Sequence, residues 1–502
     1  MEKTNTIFQY HQETSYERGK IPGHQLDWRN QPSVYKDYNG IDPILLPDNM
    51  PSMHNDIFKV LKKGDADQGI PRMDPEQLSV ILRLTYTLTA RASQGGDFFY
   101  YRSAASAGAL YPTEIYIVTH GFKGLNNGLY HFGIHGHRLT PLRTGDFSGF
   151  IAGHLIPPSG VLPVITFIFT AIYFRSSWKY RERAYRYHLL DTGHVMENLS
   201  IAMKALGLPF RISYDFNDRN VNRLAGLDDQ REASLALAYI PDCKSSADSC
   251  MPMISVLSDD IKNASIVSER EMQYPAILEI HEAGKPAVPD SSHMNDVSDF
   301  TGPSPETWIA LPDALPGSET AGYPDCLFKR RSKRNFVNAP MERNTLLSFI
   351  DALCIDDTTD PQTQSGHSHS FCTGFIAGNI EGIDHGIYLL DREQRRFGLF
   401  KKGNLIERMA HACLDQLWLK NANIHFLFIS DLERLEQRRG PRGYRYDMMG
   451  AGRMGQRIYI LATSLGLGCC GIGAFYDQEA AEIIGLTRSS RLLYLVAAGR
   501  TP

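Results

Sequence analysis

The sequence predicts a duplicated α+β fold, in which two units of about 180–200 residues, each a sheet flanked by helices, form an intramolecular pseudo-dimer. Three observations predict it. Residues 183–227 and 442–486 align without a gap at an offset of 259 and share 13 identities in 45 positions. Arg183, Tyr185, Arg186, Tyr187, Gly193 and Ile201 recur as Arg442, Tyr444, Arg445, Tyr446, Gly452 and Ile460. Leu206-Gly207-Leu208, Phe216-x-Asp218 and Gly226-Leu227 recur as Leu465-Gly466-Leu467, Phe475-x-Asp477 and Gly485-Leu486. A second block, Gly124-Leu125-x-x-Gly128-Leu129-Tyr130, recurs as Gly382-Ile383-x-x-Gly386-Ile387-Tyr388 at an offset of 258, so both blocks belong to one repeated unit. Between the copies, residues 243–320 are rich in Ser, Asp, Pro and Gly, the composition of a linker or surface-wrapping excursion. The expected domains are an N-terminal extension (1–70), a first unit (71–242), the linker (243–320) and a second unit (321–502).

Within the first unit, Ile115 to Val118 is β-branched and aromatic and reads as a strand. The block from Gly124 to Tyr130 reads as a loop entering another strand. Val161 to Phe174 is apolar over about 14 residues, contains Pro163 and is too short for a membrane span, so it reads as a buried strand. Tyr185 to Leu206 has helical period, with Leu189, Gly193, Met196, Ser200 and Met203 on one face and Gly207 at the expected C-cap. That face suits core packing, or the close packing of the two repeat helices about a pseudo-twofold axis.

Composition excludes several classes. The chain has 502 residues, 22% charged and 42% hydrophobic, with 52 basic against 56 acidic residues and a net charge of −4. This is the profile of a soluble globular protein without the basic field that nucleic-acid binding needs. The N-terminus carries no apolar h-region, so no secretory signal is expected. Eight scattered cysteines without a CxxC pair fit reduced thiols better than a disulfide or zinc framework. A cytoplasmic protein with no membrane partner is the expectation.

The chemistry-bearing segments differ between the copies. The second unit opens with Phe328-Lys-Arg330-Arg331-Ser332-Lys333-Arg334-Asn-Phe336. Five of the six residues from Lys329 to Arg334 are cationic, which suits either a phosphate monoester or a solvated basic face. The first unit instead carries Arg102-Ser-Ala-Ala105-Ser106-Ala107-Gly108-Ala-Leu-Tyr111-Pro112, small residues that let backbone groups approach a flat ligand. In the corresponding place the second unit has Ser368-His-Ser-Phe-Cys-Thr-Gly374.

A basic RRSxRxF opening a helix, a Ser/Gly-rich loop before a strand and the late LGLG-C-C-GIG-A-F-x-D resemble the nitroreductase family of FMN enzymes. RSAASAGALYPTEIY, WKYRERAYRY (178–187) and ALGLP resemble its SagB-type dehydrogenase branch, which includes azoline oxidases of peptide pathways. The resemblance implies FMN at the interface of two nitroreductase-like units, one FMN per chain, with NAD(P)H as a further donor in reductases. Carried onto this sequence, it implies that Arg330, Ser332, Arg334 and a late basic residue, Arg500, hold the phosphate. Gly471, Ile472 and Gly473 of the second unit and Ala105, Ser106, Ala107 and Gly108 of the first would border the ring. The reciprocal site, lacking the arginines and an intact serine loop, is expected to be empty. The resemblance also implicates Lys179 and Tyr180, whose counterparts at offset 259 are Arg438 and Arg439. A lysine whose pKa burial lowers can take a proton while hydride leaves the substrate, and Tyr180 can relay a proton or orient the substrate; an exposed lysine beside a core aromatic is the alternative. The arginines of RERAYRY read as structural. The substrate is expected to be a small molecule or peptide. A dehydrogenase of azoline-like compounds, a nitro or quinone reductase and a non-catalytic flavin-binding scaffold remain the functional readings.

Overall fold

The computed structural model describes residues 6–21, 23, 25–63, 73–94, 97–246, 254–285, 304–313, 321–355 and 371–502. In the first half the strands are β1 (Ile44–Leu45), β2 (Leu88–Gln94), β3 (Asp97–Arg102), β4 (Thr113–Thr119), β5 (Gly128–Gly133), β6 (Arg138–Thr144), β7 (Val161–Ile172), β8 (Arg211–Ser213) and β9 (Glu232–Ser246). In the second they are β10 (Trp308–Ala310), β11 (Cys372–Ala377), β12 (Gly386–Asp391), β13 (Arg396–Lys402), β14 (Ile424–Asp431), β15 (Gly468–Ile472) and β16 (Ser490–Gly499). Strands β2 and β3 form a separate hairpin. The rest make two seven-stranded antiparallel sheets, in the orders β1-β6-β5-β4-β7-β9-β8 and β10-β13-β12-β11-β14-β16-β15. The orders correspond position by position, as a duplicated unit requires. Both outer strands β1 and β10 lie in segments outside the repeat, one at residues 44–45 and the other at 308–310.

Alternation along the strands builds three apolar layers. Ile115 and Ile117 of β4, and Phe426 and Phe428 of β14, face one continuous core that both units share. Their neighbours Tyr116 and Val118 face a separate core behind the first sheet. Leu427 and Ile429 face another behind the second.

Two long helices, Ala184–Leu206 and Gly443–Ser464, run through the shared core and pack on each other. The first ends at Gly207, left-handed at φ 67° as a C-cap glycine should be. The helix pair explains the repeated glycines. A Cβ on Gly193 would stand 2.2 Å from the Met449 carbonyl oxygen, and one on Gly452 would stand 2.2 Å from that of Leu190. Each helix backbone therefore occupies the space a side chain would need on the other.

The repeated arginines and aspartates pin the same interface reciprocally. Arg183 and Arg186 of the first unit bond Asp477 of the second at 2.8 and 2.7 Å. Arg442 and Arg445 of the second bond Asp218 of the first, each at 2.5 Å. Both aspartates open helices, Asp218–Ala225 and Asp477–Ile484, where the helix dipole adds to the attraction. Burial pushes the Asp477 carboxyl up, but Arg183 and Arg186 outweigh it and hold the group well below its ordinary range. The N-terminal segment laces over this joint: Ile7 N–H donates to Glu436, Tyr10 Oη to the Glu182 carbonyl and Tyr16 N–H to Asp477.

One expectation is corrected. The basic segment does not open a helix: the helix Asp325–Lys329 ends before Arg330, and residues 330–340 run without helix or strand. Their backbone is taken up elsewhere, Lys333 N–H donating to the Cys469 carbonyl and Val337 N–H to that of Arg500, so the chain follows the β15–β16 edge. Among the described residues no helix is long and apolar enough to cross a membrane, and no His/Cys/Asp/Glu cluster could hold a metal ion.

Replacing Gly193 or Gly452 by alanine should force the helices apart and lower the unfolding free energy by about 1–3 kcal/mol. Gly160→Ala, where a Cβ meets open space, should stay within about 0.5 kcal/mol. Urea denaturation of the three variants checks this.

Candidate functional site

A cavity opens between the units beside the helix pair. Ten of the thirteen residues singled out in the sequence line it: Ala105, Ser106, Ala107 and Gly108; Tyr180; Ser332 and Arg334; and Gly471, Ile472 and Gly473. First-unit and second-unit residues meet there because the helix packing brings the 105–108 turn opposite β15.

The second-unit wall is kept bare by glycine. A Cβ on Gly471 would stand 1.8 Å from Tyr494 Oη, and one on Gly473 would stand 2.5 Å from the Tyr187 ring. Gly471 N–H donates to Tyr459 Oη at 2.7 Å, and Ser332 Oγ lies 2.9 Å from the same hydroxyl. Arg334 is exposed and has no hydrogen-bond or ion-pair partner among the described residues.

The first-unit wall is a strained turn. Gly108, Ala109 and Tyr111 all have positive φ, at 62°, 54° and 49°. For the two non-glycine residues that conformation costs on the order of 1–3 kcal/mol each, and such strain concentrates at functional sites. Ser106 knots the turn: its hydroxyl donates to Asp191 at 2.5 Å and accepts from Tyr111 N–H at 2.9 Å. The Ser106 hydroxyl hydrogen is thus spent inside the protein. Gly108 is where the turn meets the Lys-Tyr pair, since a Cβ there would stand 2.7 Å from Tyr180 Oη and 3.3 Å from Lys179 Nζ. Both residues end the helix Tyr173–Tyr180. Burial pushes the half-buried Lys179 ammonium down and the Tyr180 phenol up, Tyr187 and Asp191 adding to the second shift.

Three expected residues lie outside the cavity wall. Lys179 stands beside Gly108 as described. Arg330 is buried behind the wall, donating from Nε and Nη2 to the carbonyls of Ser103 and Arg102 at 2.7 and 2.9 Å, while Nη1 is buried with no hydrogen-bond partner among the described residues. This guanidinium therefore ties the second unit to the root of the first-unit turn. Arg500 is exposed at the end of β16, with Nε on the Pro340 carbonyl.

Sequence reading missed Asp191, His194, Tyr459 and Tyr494, which also line the cavity. Burial pushes the Asp191 carboxyl up to about 7 against hydrogen bonds from Ser106 and Ala107, and pushes His194 down to about 4. Gln456 fixes the histidine. Its Nε2 donates to Ser103 O and Asn198 Oδ1, so its Oε1 faces His194 Nδ1 at 2.7 Å and accepts. His194 Nε2 is then left to accept from Tyr494 Oη at 3.0 Å. The available signal was an ionisable pair three residues apart, Asp191 and His194, on the long helix Ala184–Leu206.

Among the described residues, the position related by the repeat carries different side chains. Gly450 stands where Asp191 does in the first unit, and its Cβ would meet the Phe371 ring at 2.6 Å. Tyr214 replaces Gly473, and Arg453 replaces His194 and pairs with buried Glu197 at 3.1 Å. Ser368 to Ser370, part of the degraded loop in the sequence, lie outside the described residues.

A model of the nitroreductase family matches residues 159–239 and 327–500. A Methanocaldococcus jannaschii protein assigned as a nitroreductase, MJ1384, is 30% identical over 182 residues, 36% of this chain and 92% of that protein. The trifolitoxin-processing protein TfxB of Rhizobium leguminosarum is 31% identical over 141 residues, and the microcin B17-processing protein McbC of Escherichia coli is 26% identical over 148. Those matches cover 27% and 28% of this chain and span 38% and 54% of the two relatives. A crystal structure from Anabaena variabilis, assigned as a nitroreductase, superposes with a TM-score of 0.78 over 99% of both chains at 24% identity, a likeness of fold.

Tyr494→Phe should leave His194 Nε2 buried without a donor and lower the unfolding free energy by about 1–3 kcal/mol. Guanidinium denaturation measures it, and a fall well under 0.5 kcal/mol would count against the assigned tautomer.

Proposed function

The chain belongs to the nitroreductase family, and on that premise we propose that it is an FMN-dependent oxidoreductase of the SagB type, binding one FMN per chain and acting on an azoline-like or other small organic or peptide substrate. The observation that carries this reading is the composite cavity: a partnerless guanidinium at Arg334 and a glycine-bared wall from one unit face a strained turn and a Lys-Tyr pair from the other.

The residues fit the cofactor. Arg334 and Ser332 offer a phosphate a cation and a hydroxyl, and the orphaned Nη1 of Arg330 adds a buried donor near that end. Gly471 and Gly473 present bare backbone to the cavity, which suits the close approach of a flat ring system, and Tyr494 and Tyr187 leave no space for a side chain at either position. The different side chains at the counterpart, Phe371, Tyr214 and Arg453, support a single site. When bound, FMN supplies a hydride-accepting and hydride-donating centre.

Lys179 then takes the proton that accompanies oxidation of a carbon–nitrogen unit. Burial favours the neutral amine a base must be, and the contact at Gly108 holds Nζ at the edge of the cavity. Tyr180, kept protonated by burial, orients the substrate or passes the proton on. The names of TfxB and McbC, which process trifolitoxin and microcin B17, support a peptide substrate. The likeness to MJ1384 supports the second reading, an NAD(P)H-dependent nitro or quinone reductase at the same site.

Flavin released from purified protein should approach one equivalent of FMN per chain, and two equivalents would refute the single site. Arg334→Ala should weaken FMN binding by about 1.5–3 kcal/mol, read by flavin fluorescence titration.

Lys179→Met keeps the aliphatic stem and removes the amine. With FMN still bound, substrate-driven bleaching without oxygen should slow by about 10²–10⁴-fold. An unchanged rate would return Lys179 to a structural role.

A further inference from the structure

Asp191 is the buried acid that the mechanism above leaves unused. It sits within the first long helix, 4% exposed, and no cation among the described residues pairs with it. Burying a carboxylate without a counter-charge is costly. The fold itself does not require one at this place, since the second unit has Gly450 in the related position, against the Phe371 ring. An acid kept only where the cavity is open points to the site rather than the scaffold.

Its partners show what it does. Oδ2 accepts the Ser106 hydroxyl at 2.5 Å, and Oδ1 accepts Ala107 N–H at 3.1 Å. Both donors belong to the turn whose next residues, Gly108, Ala109 and Tyr111, are left-handed. Ser106 Oγ also accepts Tyr111 N–H, so the carboxylate grips the turn at both ends. We propose that Asp191 is a positioning residue of this site: its carboxylate, through Ser106 and Ala107, holds the 106–111 turn in the strained shape that sets Gly108 against Lys179 and Tyr180.

The grip is strongest in the ionised form. Both carboxylate oxygens then accept, Oδ2 from the Ser106 hydroxyl and Oδ1 from Ala107 N–H, whereas a protonated acid or an amide turns the Ser106 hydrogen away and replaces a charge-assisted bond by a weaker neutral one. Burial places that ionisation near 7. By linkage, the protonated group favours the fold, and that contribution is lost as pH rises through about 7; the ionised grip is held against this cost. The titratable and charged groups that line the cavity with Asp191 are Tyr180, Tyr187, His194, Arg334, Tyr459, Tyr494 and Cys470, whose thiol burial raises; Tyr111 lies in the turn and Lys179 beside Gly108. Burial raises Tyr111, Tyr180, Tyr459 and Tyr494 and lowers His194 to about 4, and arginine stays charged. Lys179, lowered by burial, is the protein group a control must remove.

The proposal rests on the flavin reading for one of its two tests. In the first, hydrogen exchange of the 104–111 peptide is followed in the full chain at pH 8 without flavin. Asp191→Asn should speed it by about tenfold, the loss of a buried hydrogen bond. Ser106→Ala should do the same, and the double variant should add little. Unchanged exchange in both single variants overturns the proposal. In the second, FMN is titrated between pH 8 and pH 6. The FMN phosphate itself titrates at about 6, so affinity should fall about tenfold more in the wild type and in Lys179→Met than in Asp191→Asn; an equal step in the wild type and in Asp191→Asn overturns the proposal. A wild-type chain that takes no FMN at any pH, while its exchange still responds to Asp191→Asn, supports the grip and refutes the flavin reading.

Discussion

Everything in this molecule depends on the closeness of two helix backbones. At Gly193 and Gly452 each helix lies where the other's side chain would be. That contact fixes the separation and relative rotation of the units, and so decides which loops face each other across the joint. The paired arginines then lock the arrangement, each unit's arginines closing on the other unit's aspartate. A buried carboxylate shared by two guanidiniums adds little net stability over an apolar contact, but a shifted register would leave its charges unpaired. The clamp therefore disfavours wrong dockings of the units.

Symmetry at the joint permits asymmetry at its flanks. The same helix pair produces two related positions, and substitution has treated them oppositely. One holds Asp191, His194 and the bare glycines of β15 around an open cavity. At the other, Phe371, Tyr214 and the Glu197–Arg453 pair stand among the described residues. Within a single chain each half can specialise. The first unit supplies the strained turn and the Lys-Tyr pair, and the second supplies the free guanidinium and the glycine wall.

The buried polar groups near the cavity fall into ordered chains rather than isolated pairs. From Ser103 through Gln456, His194 and Tyr494, the two hydrogens on Gln456 Nε2 go to Ser103 O and Asn198 Oδ1, and that sets the direction of the bonds beyond. Arg330 ties the same Ser103 carbonyl to the second unit. The root of the strained turn is thus held from two elements of the other unit, while its tip is held by Asp191 from its own. A turn with two left-handed non-glycine residues persists only where its surroundings over-determine it.

The sequence by itself determined the duplication, the offset, the long helices with their small-residue faces, and the division of motifs between the halves. These are properties of spacing and composition, legible because a repeated unit preserves the residues that make its own contacts. It also pointed to ten residues that do line one cavity. What it could not determine was the roles of residues whose neighbours lie hundreds of positions away. Arg330 reads as a phosphate ligand in a basic run, yet its guanidinium is aimed at backbone carbonyls of the other unit. The RRSxRxF segment reads as the opening of a helix, but hydrogen bonds to the β15–β16 edge draw it out. Asp191 looks like one polar residue on a long helix until the turn at Ser106 closes on it. In each case a hydrogen bond made at a distance decided the matter, because a donor or acceptor leaves no periodic trace of its partner in the chain.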